Sequence, residues 1–157
     1  MIEQKQILDA CCGGRSFYYE KEAPRVLFCD IREEDTMLCD GRHLVVRPDM
    51  IVDFRNMPFE DSSFSLVVFD PPHLTDAGPG SWLAKRYGCL PKNGWQEYVA
   101  QGLRESWRVL KPGGTLIFKW SDVQVKLSEV LKAILPMKPL LGTRTQTKTL
   151  FLTFFKS

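Results

Sequence analysis

Apolar residues in this chain gather into short runs, most of them closed by a carboxylate. Ile7-Leu8 ends at Asp9 and runs into small residues and Gly13-Gly14, which predicts a short buried strand entering a tight turn. Arg25 to Cys29 closes at Asp30, Met50 to Val52 at Asp53, and Ser65 to Phe69 at Asp70. The last run is the clearest strand. Pro71 and Pro72 cannot continue a central ladder, so the chain must turn there. Between the runs, Ser16 to Lys21 and Arg32 to Leu38 are read as short helices.

In the second half the period lengthens. Tyr98, Val99, Leu103, Trp107 and Leu110 recur at helical spacing, predicting a helix over Trp95 to Leu110 that Lys111-Pro112-Gly113-Gly114 stops. Thr115 to Trp120 is the next strand, followed by an amphipathic helix over Asp122 to Leu135 with Ser121 or Asp122 as its cap. Met137 to Leu141 and Thr149 to Phe155 read as two strands joined around Gly142-Thr143-Arg144, close enough to pair antiparallel. His73 to Gly94 is punctuated by Gly, Pro and Asn, a loop long enough to suggest a functional role. Alternating strands and helices predict an α/β fold: a Rossmann-like, doubly wound, mostly parallel sheet of about seven strands with a C-terminal antiparallel hairpin. Ligands of such sheets bind outside the carboxyl ends of the strands.

Composition narrows the class. With 157 residues, 44% hydrophobic and 25% charged, the chain has the size and balance of one soluble domain. The expectation is a single domain over 1–157 with no separate target-recognition domain. The N-terminus lacks a basic segment followed by an apolar run, and no stretch is apolar enough to span a membrane, so a cytoplasmic protein is expected. The net charge of +2 does not by itself announce a nucleic-acid binder. Cations do cluster locally: Lys85, Arg86 and Lys92 in the loop, and Lys138, Arg144, Lys148 and Lys156 near the C-terminus. Ordinary solvated surface charge explains any one such cluster equally well. The five cysteines form no CxxC pair, so they read as reduced thiols and no metal site is expected.

The acidic strand ends carry the first chemistry. Four in succession line one edge of a parallel sheet with carboxylates. Asp9 precedes a glycine turn where backbone can approach a ligand closely. Asp30 ends the second strand, where a carboxylate typically accepts from ribose hydroxyls. Here the chain resembles the class I S-adenosylmethionine-dependent methyltransferases over nearly its whole length. ILDACCGG is similar to their first motif and LFCDIRE to the second. IVDFRNMPFEDSSFSLVVFDPPH resembles the block that enters the catalytic strand, and RVLKPGGTLIFKW the later helix-turn-strand signature. The resemblance implies S-adenosylmethionine as cofactor. By that resemblance Asp9 and Gly13 would approach its methionine moiety, Asp30 the ribose, and Asp53 with Phe54 the adenine ring, with Ala10, Cys11, Ile31 and Asp70 as further cofactor contacts. This chain departs from the family in its adjacent Gly13 and Gly14 and in having only about six residues before the first strand. A more open cofactor site, or cover from a homodimer mate or partner subunit, follows from the second departure. A nicotinamide-binding domain would carry GxGxxG after the first strand, which is absent here.

Asp70-Pro71-Pro72-His73 carries the second chemistry. An exocyclic amine on adenine is a poor nucleophile because its lone pair is delocalised into the ring. Accepting both amino hydrogens, with the Asp70 carboxylate and the Pro71 carbonyl, favours pyramidal geometry and frees lone-pair density. The prolines stiffen the turn that aims these acceptors. The segment resembles the (Asp/Asn)-Pro-Pro-(aromatic) motif of amino-methyltransferases, with His73 as the stacking residue in place of a larger ring. Taken alone, Asp-Pro-Pro is also a rigid turn. Trp82, Lys85 and Arg86 are candidate substrate contacts by their mix of stacking and charge. Trp82 could instead pack a lid onto the domain. Trp120 either lines the pocket or fills core, and Trp95 and Trp107 are expected in the core. The sequence therefore predicts an amino-methyltransferase with nucleic-acid adenine N6 as the first target. A protein glutamine or another amino group is the alternative, and a non-catalytic cofactor-binding partner subunit is the third reading.

Overall fold

The computed structural model describes residues 5–78 and 80–157. Five strands run parallel: β1 (Ile7–Asp9), β2 (Val26–Asp30), β5 (Met50–Ile51), β6 (Phe64–Phe69) and β7 (Leu110–Ser121). β9 (Thr149–Phe155) pairs antiparallel with β7, and β8 (Leu141–Gly142) antiparallel with β9. The sheet order is β5-β2-β1-β6-β7-β9-β8, so the chain reverses its direction of progress between β1 and β6. In open α/β sheets that switch point is where a crevice opens at the carboxyl ends of the strands.

β2 is buried along its whole length, as a central parallel strand covered on both faces must be. β7 alternates instead: Leu116, Phe118 and Trp120 are buried while Thr115, Ile117 and Lys119 are only partly covered. α2 (Trp95–Val109) presents Trp95, Val99, Leu103 and Val109 to the sheet and packs on β6 and β7. It also meets α3 (Leu127–Ala133), so these two helices share one layer. Phe69 stacks on Phe118 at 5.8 Å beneath that layer. None of the described helices is long and apolar enough to cross a membrane.

Several expected elements differ. No α-helix forms between β1 and β2, or between β2 and β5, so the expected helices on both faces reduce to one helical layer among the described residues. Ser16 to Lys21 is a chain of turns, too short to nucleate a helix alone. Arg15 holds it by donating to the Lys21 carbonyl, and Tyr18 sets its ring edge on Phe28 at 4.8 Å. Arg32 to Leu38 forms β3 (Glu34–Met37) rather than a helix, and pairs antiparallel with β4 (His43–Val46). Across the hairpin Asp35 finds cationic and imidazole partners that a helix over 32–38 would not bring to it, His43 at 2.5 Å and Arg47 at 2.8 Å. α3 begins five residues later than expected, with Asp122 still accepting from the Leu127 amide at 2.6 Å. Of the Met137 to Leu141 run only Leu141 enters a strand, with the Leu140 amide donating to the Thr153 carbonyl at 2.7 Å; Pro139 has no donor to carry the ladder further back. The long loop contains a short helix, α1 (Trp82–Tyr87), capped by Ser81.

Candidate functional site

A cleft of about 560 Å³ opens at the carboxyl ends of β1, β2, β6 and β7, within the size range of small-molecule sites. Its floor is built from strand ends. Asp9 is 2% exposed and accepts from the Cys11 amide at 3.2 Å. Asp30 accepts from the Gly13 amide at 2.8 Å, which ties the first turn to the second strand. Gly13 sits at φ +48, a conformation that favours glycine, so the tie depends on that residue.

Across the switch point, Asp70 meets Lys119 at 3.1 Å. The parallel register pairs Phe69 with Phe118, which brings the two following side chains together. The Lys119 ammonium also lies 4.6 Å from the Phe17 ring centre. With one carboxylate oxygen on Lys119, the other remains for a ligand. His73 stands between Tyr87 at 5.7 Å and Trp120 at 6.4 Å, ring centre to ring centre.

Burial dominates the electrostatics. It pushes the Asp9 carboxyl up to about 7, and the charges of Asp70 and Asp30 add to the rise. Asp70 is raised by burial and drawn back by Lys119. His73 is lowered by burial and then by Lys119, so its ring is neutral at pH 7. Burial and neighbouring carboxylates raise the thiols of Cys11 and Cys12, which makes both poor nucleophiles. The Tyr18 hydroxyl is buried beside Asp9 without a hydrogen bond of ordinary geometry. Lys119 sits on Asp70 at 3.1 Å and the Arg32 guanidinium lies 3.9 Å from Asp30, so among the described residues Asp9 is the floor carboxylate without a cationic partner, and a cationic ligand would favour its ionised form.

The roof comes from outside the sheet. Trp82 packs on Leu38, Leu44 and Val46 of the β3–β4 hairpin, with the Arg42 guanidinium 4.5 Å above its ring. Arg32 bridges the parts: it pairs with Glu34 at 3.1 Å and donates to the carbonyls of Lys85 and Arg86. Hairpin and α1 thus form one lid over the cleft, latched to the end of β2.

Of the residues singled out by sequence, Asp9, Cys11, Gly13, Asp30, Ile31, Phe54, Asp70, Pro71, Pro72, His73 and Arg86 all line this cleft. Ala10 is buried behind it. Asp53 faces away, gripped by Arg55 at 2.6 and 3.0 Å in a separate surface dent. Trp82 does not reach the cleft, because the hairpin claims its ring. Lys85 is exposed and contributes its backbone carbonyl to the Arg32 latch. Trp120 is 0% exposed and its indole donates to the Val125 carbonyl at 2.9 Å, so it is core and not lining. Lys119, at the crevice end of its strand, and Tyr87, in the loop expected to stack on a ligand, line the cleft as well; the hairpin's His43 and Leu44 are the lining residues that sequence reasoning missed. Strand alternation carries the signal for Lys119: with Trp120 in the core, its predecessor must face the other way.

No protein-family model matches the chain, and no curated protein does. Solved structures do share its architecture. A protein from Pyrococcus horikoshii OT3 superposes with a TM-score of 0.61 at 16% identity, covering 96% of this chain and 81% of that one. The N-methyltransferase NodS from Bradyrhizobium japonicum WM9 gives 0.54 at 14% identity over 96% and 84% of the two chains. An S-adenosylmethionine-dependent methyltransferase from Mesorhizobium loti gives 0.53 at 14% identity over 96% and 91%. The chain therefore has the Rossmann-like fold that S-adenosylmethionine-dependent methyltransferases use.

Proposed function

We propose that the chain is an S-adenosylmethionine-dependent methyltransferase acting on an exocyclic amino group, with N6 of adenine in DNA or RNA as its target. The observation that carries this reading is one cleft with two chemically distinct ends. Asp9, Gly13, Asp30 and Phe54 form one end, and Asp70-Pro71-Pro72-His73 the other. The donor set suits the cofactor. Asp30 offers acceptors to a ribose diol, Phe54 an apolar ring to a base, and the three carboxylates a site for a sulfonium and an ammonium.

When bound, the cofactor supplies an electrophilic methyl group on a cationic sulfur. The chain's own residues then do the positioning. Asp70, with Lys119 on one carboxylate oxygen, accepts one amino hydrogen through the other, and the Pro71 carbonyl accepts the second hydrogen. Held this way, the amine would present its lone pair to the cofactor's methyl carbon, and the cofactor would give up that methyl to nitrogen while its sulfur kept the bond electrons. The extra proton on nitrogen passes to Asp70 or to solvent. His73, neutral and backed by Tyr87 and Trp120, supplies a flat surface against the base. Most of the work is orientation, which suits a site without a nucleophile of its own.

Incubation with methyl-tritiated S-adenosylmethionine and separate DNA, RNA and protein pools tests this. The expected result is label in adenine of a nucleic acid. Label in protein would move the target to glutamine or another protein amino group. Tight cofactor binding without label in any pool would mark a binding subunit.

A further inference from the structure

The net charge of +2 conceals a strong segregation. Residues 77–94 contain Lys85, Arg86 and Lys92 and no carboxylate, and residues 130–157 contain five cations and no carboxylate. The fold brings parts of both segments to the mouth of the cleft, from opposite sides. On one side the end of α1 is latched over β2, with Arg86 and Tyr87 lining the cleft and Lys85 exposed beside them. On the other side the loop between β8 and β9 closes onto the end of β7. The Asp122 amide donates to the Lys148 carbonyl at 2.7 Å, and Ser121 pairs with Thr149.

That second loop is joined to the cleft wall by aromatic contact. Phe17 lines the cleft and lies 5.7 Å from Phe151, whose ring stands on the same sheet face as Lys119 and is 41% exposed. The Phe151 amide donates to the Thr143 hydroxyl at 3.1 Å, which anchors the loop that carries Arg144 and Lys148. Among the described residues, Lys85, Arg86, Arg144 and Lys148 make no ion pair with a carboxylate. Carboxylates near the two rims have other partners: Glu34 is held by Arg32, Asp76 by Lys92 and Asp122 by Lys126. Four strand spacings separate β2 from β9, a span of roughly 19 Å.

We infer that these two rims form a track for a single-stranded polynucleotide: Lys85 and Arg86 hold one flank of the strand, Arg144 and Lys148 the other. Exposed Tyr87 and Phe151 offer stacking planes to the flanking bases. The inference deepens the proposed function and rests on it for the identity of the strand as substrate. Cations with interleaved aromatic faces match single strands, whose bases are free to stack. A duplex would have to be opened first. An acidic polypeptide would use the cations and leave the rings idle.

Fluorescence anisotropy with the full chain tests the track directly, using short labelled single-stranded DNA, single-stranded RNA and duplex DNA, with polyglutamate as competitor. The charge-removing pair Arg144→Gln with Lys148→Gln is compared with Lys111→Gln and Lys132→Gln, which remove the same charge from the opposite sheet edge and the helical layer. Each lost phosphate contact on a single strand lowers the slope of log K against log salt by about 0.7, so the first pair should lose about 1.4 and bind about 25-fold more weakly near 0.1 M salt. The control pair should bind like wild type. Binding to either DNA or RNA single strands supports the track and shows which sugar is preferred. Equal loss in both pairs, no single-strand binding, or displacement by polyglutamate at matched charge overturns it. Calorimetry with S-adenosylmethionine on the same proteins keeps the two claims apart. Intact cofactor binding without strand binding sinks the track alone, and strand binding without cofactor binding sinks the methyltransferase reading alone.

Discussion

Gly102 offers a sharp test of how α2 is fitted against the site. It lies in the middle of that helix, where alanine would be favoured by about 1 kcal/mol on propensity alone. A Cβ at this position would lie 2.4 Å from Phe69 Cζ and 2.7 Å from Phe54 Cδ2. Phe69 cannot withdraw, because it is fully buried and stacked on Phe118 at 5.8 Å. Phe54 packs edge-on against Phe69 at 5.0 Å and Tyr98 at 5.2 Å, so its room to move is toward the cleft it lines. Overpacking costs about 1–3 kcal/mol, and a clash with two buried rings at once belongs to the upper part of that range, about 2–3 kcal/mol, which outweighs the propensity gain. Gly102→Ala should therefore lose roughly 1–2 kcal/mol, lowering Tm by about 2–8 °C for a chain of this size. It should also weaken S-adenosylmethionine binding, since Phe54 is displaced into the site. Thermal unfolding followed by calorimetric titration checks both. A variant as stable as wild type, or more stable, refutes the close contact between α2 and the two rings.

Three further outcomes follow from the same geometry. The folded-state pKa of Asp9 is raised to about 7 from an ordinary 3.8, so its contribution to stability is complete below about pH 4 and is lost as pH rises through 7. Asp9→Asn should remove that slope, gaining up to about 4 kcal/mol on wild type across the window in urea titrations of the cofactor-free protein; parallel pH profiles would contradict it. Lys119→Met takes away the cation that draws the Asp70 pKa down, so the acid limb of kcat/KM should move to higher pH while cofactor affinity holds, with Lys119→Arg restoring the profile. An unmoved acid limb would remove Lys119 from the account. Trp82→Ala should release the lid, because that ring joins α1 to Leu38, Leu44 and Val46. Hydrogen exchange should then speed up in the hairpin and α1 and stay slow in β6 and β7; unchanged lid exchange would deny the ring its role.

Much of the sheet was legible because its strands announce themselves locally. SLVVF followed by Asp-Pro-Pro can only be a buried strand meeting a turn, and the α2 stripe needs no knowledge of what it covers. The β3–β4 hairpin was hidden for the opposite reason. Its first strand carries two carboxylates and no apolar run, and becomes a strand only once His43 and Arg47 lie across from it. The local signal that was available is Asp40-Gly41, a turn pair with Gly41 at φ +82, followed by the His43–Val46 run that ends in two β-branched valines. The site divides in the same way. Asp9, Asp30 and Asp70 follow from strand ends, since a parallel sheet must gather them at one edge. Trp82 and Asp53 could not be placed from sequence, because the hairpin and Arg55 decide where they face.

The central claim rests on the Asp70 carboxylate as the acceptor that prepares an amine for methylation. Its most direct test measures cofactor binding and methyl transfer side by side in wild type and Asp70→Ala. Removing Asp70 leaves Lys119 without its partner, so Asp70→Ala combined with Lys119→Met serves as the folded reference. The account predicts measurable S-adenosylmethionine binding in all three proteins and tritium transfer to nucleic acid in wild type alone. Methyl transfer at the wild-type rate in either variant would contradict it.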